Sequence, residues 1–181
     1  MIHHGDVRTI LPTLKAGSVQ CVVTSPPYWG LRDYGVTGQI GLEPTPEAYV
    51  ENMVQVFREV KRVLRDDGTV WLNLGDSYNS TSGFSRANKQ WARKGRDGGA
   101  NDKKEIKHPT LKTKDLIGIP WRVAFALQAD GWYLRSDIVW AKGVSFCPDY
   151  SGSVMPESVT DRPTKSHEYL FLLTKSARYF Y

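Results

Sequence analysis

A short apolar segment that ends on two consecutive prolines constrains the fold of this chain more than any other feature. Residues 19–24 form a continuous run that is typical of a β-strand covered on both faces, and Pro26 and Pro27 follow directly. Proline fixes its own φ, removes a backbone donor and holds the preceding residue extended, so neither strand nor helix continues here. The sequence therefore predicts rigid, irregular backbone at the carboxyl end of a strand, where open α/β sheets bind ligands.

Strand and helix patterns alternate along the rest of the chain. The residues Thr45-Pro46-Glu47 predict a helix start, because they combine a capping hydroxyl, a proline and an acid in the first turn. Apolar residues at spacings of three and four predict that this helix continues to the turn residues Asp66-Asp67-Gly68. Further strands are expected at residues 69–74, 132–140 and 169–174, with a helix at 119–131. This alternation predicts a mostly parallel α/β sheet with an antiparallel edge formed by the last two strands.

Length and composition are those of one globular domain over residues 1–181. With 40% apolar and 24% charged residues, the chain is not disordered throughout. No stretch approaches the roughly 20 apolar residues of a membrane span, and the first residues do not form a signal peptide. Cys21 and Cys147 are the only cysteines, so we expect neither a disulfide framework nor a metal site. We therefore expect a cytoplasmic protein that has no membrane partner.

Positive charge is concentrated in a basic insertion at residues 77–114. Ten Lys or Arg and three Asp or Glu lie between residues 82 and 114, whereas the whole chain carries a net charge of only +5. A solvated, partly disordered loop has this composition, and so does a nucleic-acid clamp whose cations neutralise phosphates. We favour the clamp, because the insertion follows a strand at the sheet edge that carries the prolines. The candidate DNA-binding residues are Arg86, Lys89, Arg93, Lys94, Arg96, Lys103 and Lys104.

The order of motifs resembles the β group of the DNA amino-methyltransferases. The central match is Thr24-Ser25-Pro26-Pro27-Tyr28, which resembles the catalytic motif of that family. The other matching segments are Gly5-Asp6, residues 28–34, residues 68–76, residues 119–122, residues 155–159 and residues 162–169. Members of the family transfer a methyl group from S-adenosylmethionine to the exocyclic amino group of a base flipped out of double-stranded DNA. The resemblance implies part of a Rossmann-like methyltransferase sheet, as found in restriction–modification systems.

The resemblance also implies a role for the residues around the two prolines. An aromatic amino group is a poor nucleophile, because its lone pair is delocalised into the ring. Two acceptors, the Ser25 hydroxyl and the carbonyl of Pro26 or its neighbour, would hold both hydrogens and favour a pyramidal nitrogen. Tyr28 offers a ring on which the flipped base can lie. The alternative is that the two prolines only terminate a strand. The candidate catalytic residues are Ser25, Pro26, Pro27 and Tyr28.

Four further residues are candidates with a structural alternative. Asp6 and Thr24 occupy positions that the resemblance assigns to the cofactor, although a Gly-Asp turn before a strand is common. Trp29 and Asp76 are candidates for the base pocket. Core packing would equally explain the tryptophan, and an Asx turn at the end of a strand would explain the aspartate.

The glycine loop that holds the cofactor in the family has no match in this chain. That loop is an aromatic residue followed by Gly-x-Gly, and no Gly-x-Gly occurs in the sequence. In the β group it comes after the matched region, so we expect residues 1–181 to be the catalytic half without the cofactor-binding half. We expect this chain alone to be inactive and to bind S-adenosylmethionine weakly or not at all. The strand ending at Thr24 would then have an open edge, available to a complementary half or a second copy.

The target base and two other functions remain as alternatives. Serine before the two prolines resembles the cytosine-N4 enzymes, whereas aspartate is typical of adenine-N6 enzymes, so we favour cytosine. A non-catalytic DNA-binding remnant or subunit is also consistent with a missing cofactor half. An RNA or protein-glutamine methyltransferase is disfavoured, because the cofactor half of those enzymes precedes the motif and only 23 residues precede Thr24 here.

Overall fold

The computed structural model describes residues 2–79, 110–142 and 160–180. All seven candidate DNA-binding cations lie outside these residues, as does Cys147. The elements are α1 (Val7–Ile10), a 3₁₀ turn (Leu11–Thr13), β1 (Val19–Thr24), α2 (Pro46–Val63), β2 (Leu64–Leu74), α3 (Ile119–Ala129), β3 (Tyr133–Ala141) and β4 (His167–Thr174).

The four strands form one mixed sheet in the order β1-β2-β4-β3. β1 pairs with β2 in parallel, and β4 runs antiparallel to both of its neighbours, β2 and β3. Three of the four strands therefore point the same way, with an antiparallel pair at one side of the sheet. The predicted α/β fold is confirmed. Because Thr24 pairs with Leu72, the carboxyl ends of β1 and β2 meet at one edge, and the residues that follow both strands lie there.

The start of α2 agrees with the prediction, but its end does not. The Thr45 hydroxyl accepts a hydrogen bond from the Ala48 amide at 3.2 Å, and Pro46 is the first helical residue. The predicted end at residues 66–68 is wrong, because α2 ends at Val63 and these residues belong to β2. A Cβ on Gly68 would lie 2.7 Å from the Gln20 carbonyl oxygen, so this glycine permits the close approach of β1.

The hydrophobic core lies between the sheet and helices α2 and α3. β2 and β4 contribute fully buried side chains, among them Leu72 and Phe171. Tyr49 and Phe57 of α2 and Leu127 of α3 are also fully buried and belong to the same cluster. Both helices therefore cover the central strands, which fixes the positions of the strand ends. Of the helices in the described residues, none combines the length and apolar character needed to span a bilayer.

Strand β1 has a neighbour on one side only within the described part of the chain. It bonds to β2, its residue Cys21 is exposed, and the side chain of Val23 is 77% exposed. The prediction that this strand is covered on both faces is therefore wrong for the described residues. The observed edge agrees with the expected open edge.

Candidate active site

The double proline is fixed to the core by a hydrogen bond from helix α2. The hydroxyl of the fully buried Tyr49 donates to the Pro27 carbonyl at 2.9 Å. Burial raises the pKa of Tyr49 well above its ordinary value, so this hydroxyl remains a donor. Within the described ranges no donor contacts the Pro26 carbonyl. Among the described residues the Pro26 carbonyl therefore has no partner, whereas the Pro27 carbonyl already accepts one hydrogen bond.

The ring of Tyr28 packs against a glycine at the end of β2. A Cβ on Gly75 would lie 2.6 Å from Tyr28 Cδ2 and closer still to Cε2. Real side chains do not approach so closely, so the position of the ring depends on the absence of a side chain at residue 75. The motif after β1 and the residues after β2 thus form one contiguous site.

The hydroxyl of Tyr28 lies in a network of polar side chains. Its Oη is 2.6 Å from Asn73 Oδ1 and 3.2 Å from Glu168 Oε2. Burial, reinforced by the nearby charge of Glu168, raises the pKa of Tyr28 above its ordinary value. The hydroxyl therefore keeps its proton at neutral pH. Ser25 Oγ lies 3.2 Å from both Tyr28 Oη and Asn73 Oδ1, so the serine belongs to the same network.

An ion pair borders the network on the side of β3 and β4. Lys142 Nζ lies 3.1 Å from Glu168 Oε2 and 3.7 Å from the centre of the Trp140 ring. The lysine compensates the charge of the carboxylate that faces Tyr28. The site thus combines neutral hydrogen-bonding groups at its centre with a balanced ion pair at its border.

Asp76 is committed to the backbone at the start of α3. Its side chain is 2% exposed, and Oδ1 accepts from the amides of Ser77, Gly118 and Ile119 at 2.9 to 3.1 Å. Its other oxygen lies 3.5 Å from Lys165 Nζ. These contacts match the turn alternative considered for this residue, extended to the first amides of a helix.

Replacement of Asp76 by alanine is expected to destabilise the fold by about 2–4 kcal/mol. The change leaves buried amides without an acceptor and leaves Lys165, 15% exposed, without its counter-charge. Asp76→Asn keeps the acceptor oxygen and should cost clearly less. Urea unfolding followed by circular dichroism measures both free energies. Equal losses for the two variants would show that the acceptor is not what matters.

Trp29, Thr24 and Asp6 lie in different structural elements and contact different partners. The Trp29 indole N–H donates to the Glu43 carbonyl at 2.9 Å, and its ring is partly buried against the core. Thr24 ends β1 and pairs with Leu72. Asp6 caps α1, and hydrogen bonds from Arg8 lower the pKa of Asp6 to about 2. Within the described chain no hydrogen bond or ion pair joins Asp6 to residues 24–28, and the cofactor role of Asp6 and Thr24 stays a prediction.

Comparison of the sequence with models of protein families identifies the family of this chain. The model of the DNA methylase family, which covers N6 and N4 methylases, matches residues 19–181. The chain belongs to this family. It is 56% identical over 182 residues to the type II methyltransferase M.XycI of Xanthomonas campestris pv. cyanopsidis, and 53% identical to M.Cfr9I of Citrobacter freundii. Each alignment covers 99% of this chain and 56% of the relative, so the chain spans little more than half the length of these methylases.

Solved structures of DNA methylases share the fold of this chain. PvuII DNA methyltransferase, described as cytosine-N4-specific, superposes with a TM-score of 0.58 at 14% identity, over 97% of this chain and 49% of that protein. TTHA0409 from Thermus thermophilus, in complex with S-adenosyl-L-methionine, gives a TM-score of 0.58 at 21% identity, over 98% and 54%. At these identities the likeness establishes the Rossmann-like fold and nothing further.

The structure adds Asn73 and Glu168 to the candidate site residues that the sequence motifs indicate. Both lie inside segments that carried the resemblance, but neither was assigned a role. A local signal existed for Asn73, because it is a lone amide in the otherwise apolar run of residues 70–74 and is 8% exposed. Such a buried amide requires hydrogen-bond partners. No comparable local signal marks Glu168, whose partner Tyr28 is 140 positions away.

Proposed function

We propose that this chain supplies the base-binding half of a DNA methyltransferase that acts on the exocyclic amino group of a base flipped out of double-stranded DNA. The observation that carries the proposal is the pair of acceptors at the end of β1. Ser25 is exposed, and no donor within the described residues contacts the Pro26 carbonyl. Tyr28 presents its ring next to them. This arrangement suits a planar ligand that is held by its amino group.

The two acceptors activate the amino group by positioning. Each accepts one amino hydrogen, which favours a pyramidal nitrogen whose lone pair points out of the base plane. S-adenosylmethionine, when bound, supplies a sulfonium methyl group as the electrophile. The contribution of Ser25 and Pro26 is thus a set of oriented dipoles, and no covalent intermediate with the protein is needed. Tyr49 fixes the neighbouring Pro27 carbonyl through a hydrogen bond that occupies one of its two lone pairs.

Cytosine N4 is the favoured target, because the first residue of the motif is serine. The matching family model is described as DNA methylase, which supports DNA as the substrate, and the relatives with more than half identity are named type II methyltransferases. Trp29 shapes the pocket through the loop that it holds at Glu43. Asp76 acts on the pocket indirectly, through Lys165 and the start of α3. The basic insertion supplies the phosphate contacts in this proposal.

The main contacts of S-adenosylmethionine are proposed to come from outside residues 1–181. The sequence contains no Gly-x-Gly, and the chain spans 56% of the relatives' length. The carboxylate of Asp6 is already paired with Arg8. A cofactor-binding region could then pair with the open edge of β1.

Nucleoside analysis tests the proposed function. The full-length protein is incubated with duplex DNA and S-adenosylmethionine that carries a deuterated methyl group, and the digested DNA is examined by mass spectrometry. We expect labelled N4-methyldeoxycytidine. Labelled N6-methyldeoxyadenosine would overturn the choice of base and keep the amino-methyltransferase. DNA binding without any labelled product would overturn the proposal in favour of a non-catalytic DNA-binding protein.

A further inference from the structure

The direction of the Ser25 proton determines whether this side chain can serve as an acceptor. A serine hydroxyl has one proton and two lone pairs, and it rotates freely unless a neighbour fixes it. If its proton points at the amino group of the base, two donors face each other and the contact is lost. Among the described residues, the groups within hydrogen-bond distance of Ser25 Oγ are Asn73 Oδ1 and Tyr28 Oη, each at 3.2 Å.

The orientation of the Asn73 amide is set by the neighbouring strand. Its Nδ2 donates to the backbone carbonyl of Tyr169 in β4 at 3.1 Å. Rotation of the amide by half a turn would place its oxygen against that carbonyl, so the hydrogen-bond network assigns Oδ1 to the side of Ser25. The side chain is 8% exposed, and water does not readily replace this contact. Asn73 therefore presents a fixed acceptor to the site.

Two hydroxyls converge on this one oxygen. Tyr28 Oη lies 2.6 Å from Asn73 Oδ1, which is the shortest contact of the network, and Ser25 Oγ lies 3.2 Å from it. An amide oxygen has two lone pairs and accepts both protons. As long as the tyrosine donates to the amide, it does not donate to the serine, and both lone pairs of Ser25 remain free for the base.

We propose that Asn73 is a positioning residue that takes the protons of Ser25 and Tyr28 and thereby keeps Ser25 Oγ an acceptor for the amino group. The inference rests on the proposed function and deepens it. Glu168 does not replace Asn73 in this role. Its carboxylate accepts from Tyr28 at 3.2 Å, but in the described part of the chain it makes no hydrogen bond to Ser25. Loss of Asn73 would therefore leave Tyr28 able to donate to Glu168 or to Ser25, and among the described residues it would leave the Tyr28 oxygen as the single acceptor within reach of the serine proton.

Steady-state kinetics of two nearly isosteric variants test the role of Asn73. In the full-length protein, Asn73→Leu removes the acceptor, whereas Asn73→Asp keeps an oxygen that accepts from both hydroxyls. We expect kcat of the leucine variant to fall by about 10²-fold, the scale of removing one preorganised group, with KM for DNA unchanged. We expect kcat of the aspartate variant to fall clearly less than that of the leucine variant, because the acceptor is preserved although the hydrogen bond to the Tyr169 carbonyl is lost and a charge is added near Glu168. Thermal unfolding shows whether each variant is folded. If the leucine variant does not fold, Asn73→Ala is used in its place.

The outcomes separate this role from a structural one and from failure of the proposed function. A folded leucine or alanine variant with unchanged kcat would overturn the inference. An equal drop in kcat in the aspartate variant would also overturn it. So would a drop in kcat that is accompanied by equal losses of DNA affinity and thermal stability. If the parent protein transfers no methyl group to any amino nitrogen, the proposed function itself has failed, and the inference fails with it.

Discussion

Replacement of Ser25 by alanine is expected to lower methyl transfer by about 10²- to 10³-fold while DNA binding is retained. The hydroxyl is one of the two acceptors proposed to hold the amino group, and without it one amino hydrogen is unheld in the transition state. The side chain is exposed and follows β1, outside the hydrophobic core, so its removal should leave the fold intact. Tritium transfer to duplex DNA, measured in the full-length protein together with a gel-shift titration, gives both quantities.

Ser18→Ala provides a matched control at the opposite end of the same strand. Ser18 is also exposed, and its hydroxyl donates to the Lys15 carbonyl at 2.6 Å, away from the site. This variant should retain the turnover of the parent. Unchanged turnover in Ser25→Ala would remove the acceptor role that the proposed mechanism gives to Ser25. Parallel losses of turnover and DNA affinity would indicate a structural effect instead.

Replacement of Gly75 by alanine is expected to displace the Tyr28 ring. The added methyl group would lie 2.6 Å from Cδ2, and the ring has little freedom because its hydroxyl is held by Asn73 and Glu168. Overpacking at a buried position costs about 1–3 kcal/mol, and the displaced ring would no longer support the base. We therefore expect a lower unfolding free energy and a large loss of methyl transfer. Urea unfolding of residues 1–181 measures the first effect, and transfer by the full-length protein measures the second.

A double-mutant cycle identifies the cause of the Gly75 effect. In a Tyr28→Ala background the ring is absent, so adding Gly75→Ala should change the unfolding free energy by less than about 0.5 kcal/mol. The coupling between the two substitutions would then account for most of the cost of the single change. If the Gly75 substitution costs as much without the ring as with it, the clash with Tyr28 is not the cause.

Local sequence signals predicted the fold where the determinants are close in sequence. The helix start at Thr45 depends on contacts within three residues, and β1 and the second half of β2 are mostly apolar. The predicted end of α2 is wrong because Asp66-Asp67-Gly68 has the composition of a turn but belongs to β2. In the structure this glycine lies in β2 and lets the backbone of β1 approach at Gln20, 48 positions earlier, which no local pattern reveals.

The candidate site was likewise predictable from sequence only where its determinants are close together in the chain. The residues of the motif were predicted from their order in the chain, and the structure places Ser25 through Tyr28 together at the end of β1. The partner of the Pro27 carbonyl, Tyr49, was assigned only to the apolar face of a helix, because periodicity shows burial and not where a hydroxyl points. Asp76 is a candidate from sequence, but its bonds to Gly118 and Ile119 depend on how the fold brings the start of α3 to the end of β2.

The hydrogen bonds of Tyr28 also bear on the time course of folding. Its partners lie 45 and 140 positions away in the chain, so they meet only after large loops have closed. Contacts of such high sequence separation form slowly, and local structure such as α2 precedes them. The Tyr28 hydroxyl should therefore reach its native environment in the last kinetic phase of refolding. A spectroscopic probe of the Tyr28 side chain would report completion of the native state. Far-ultraviolet circular dichroism would report the earlier formation of helix α2.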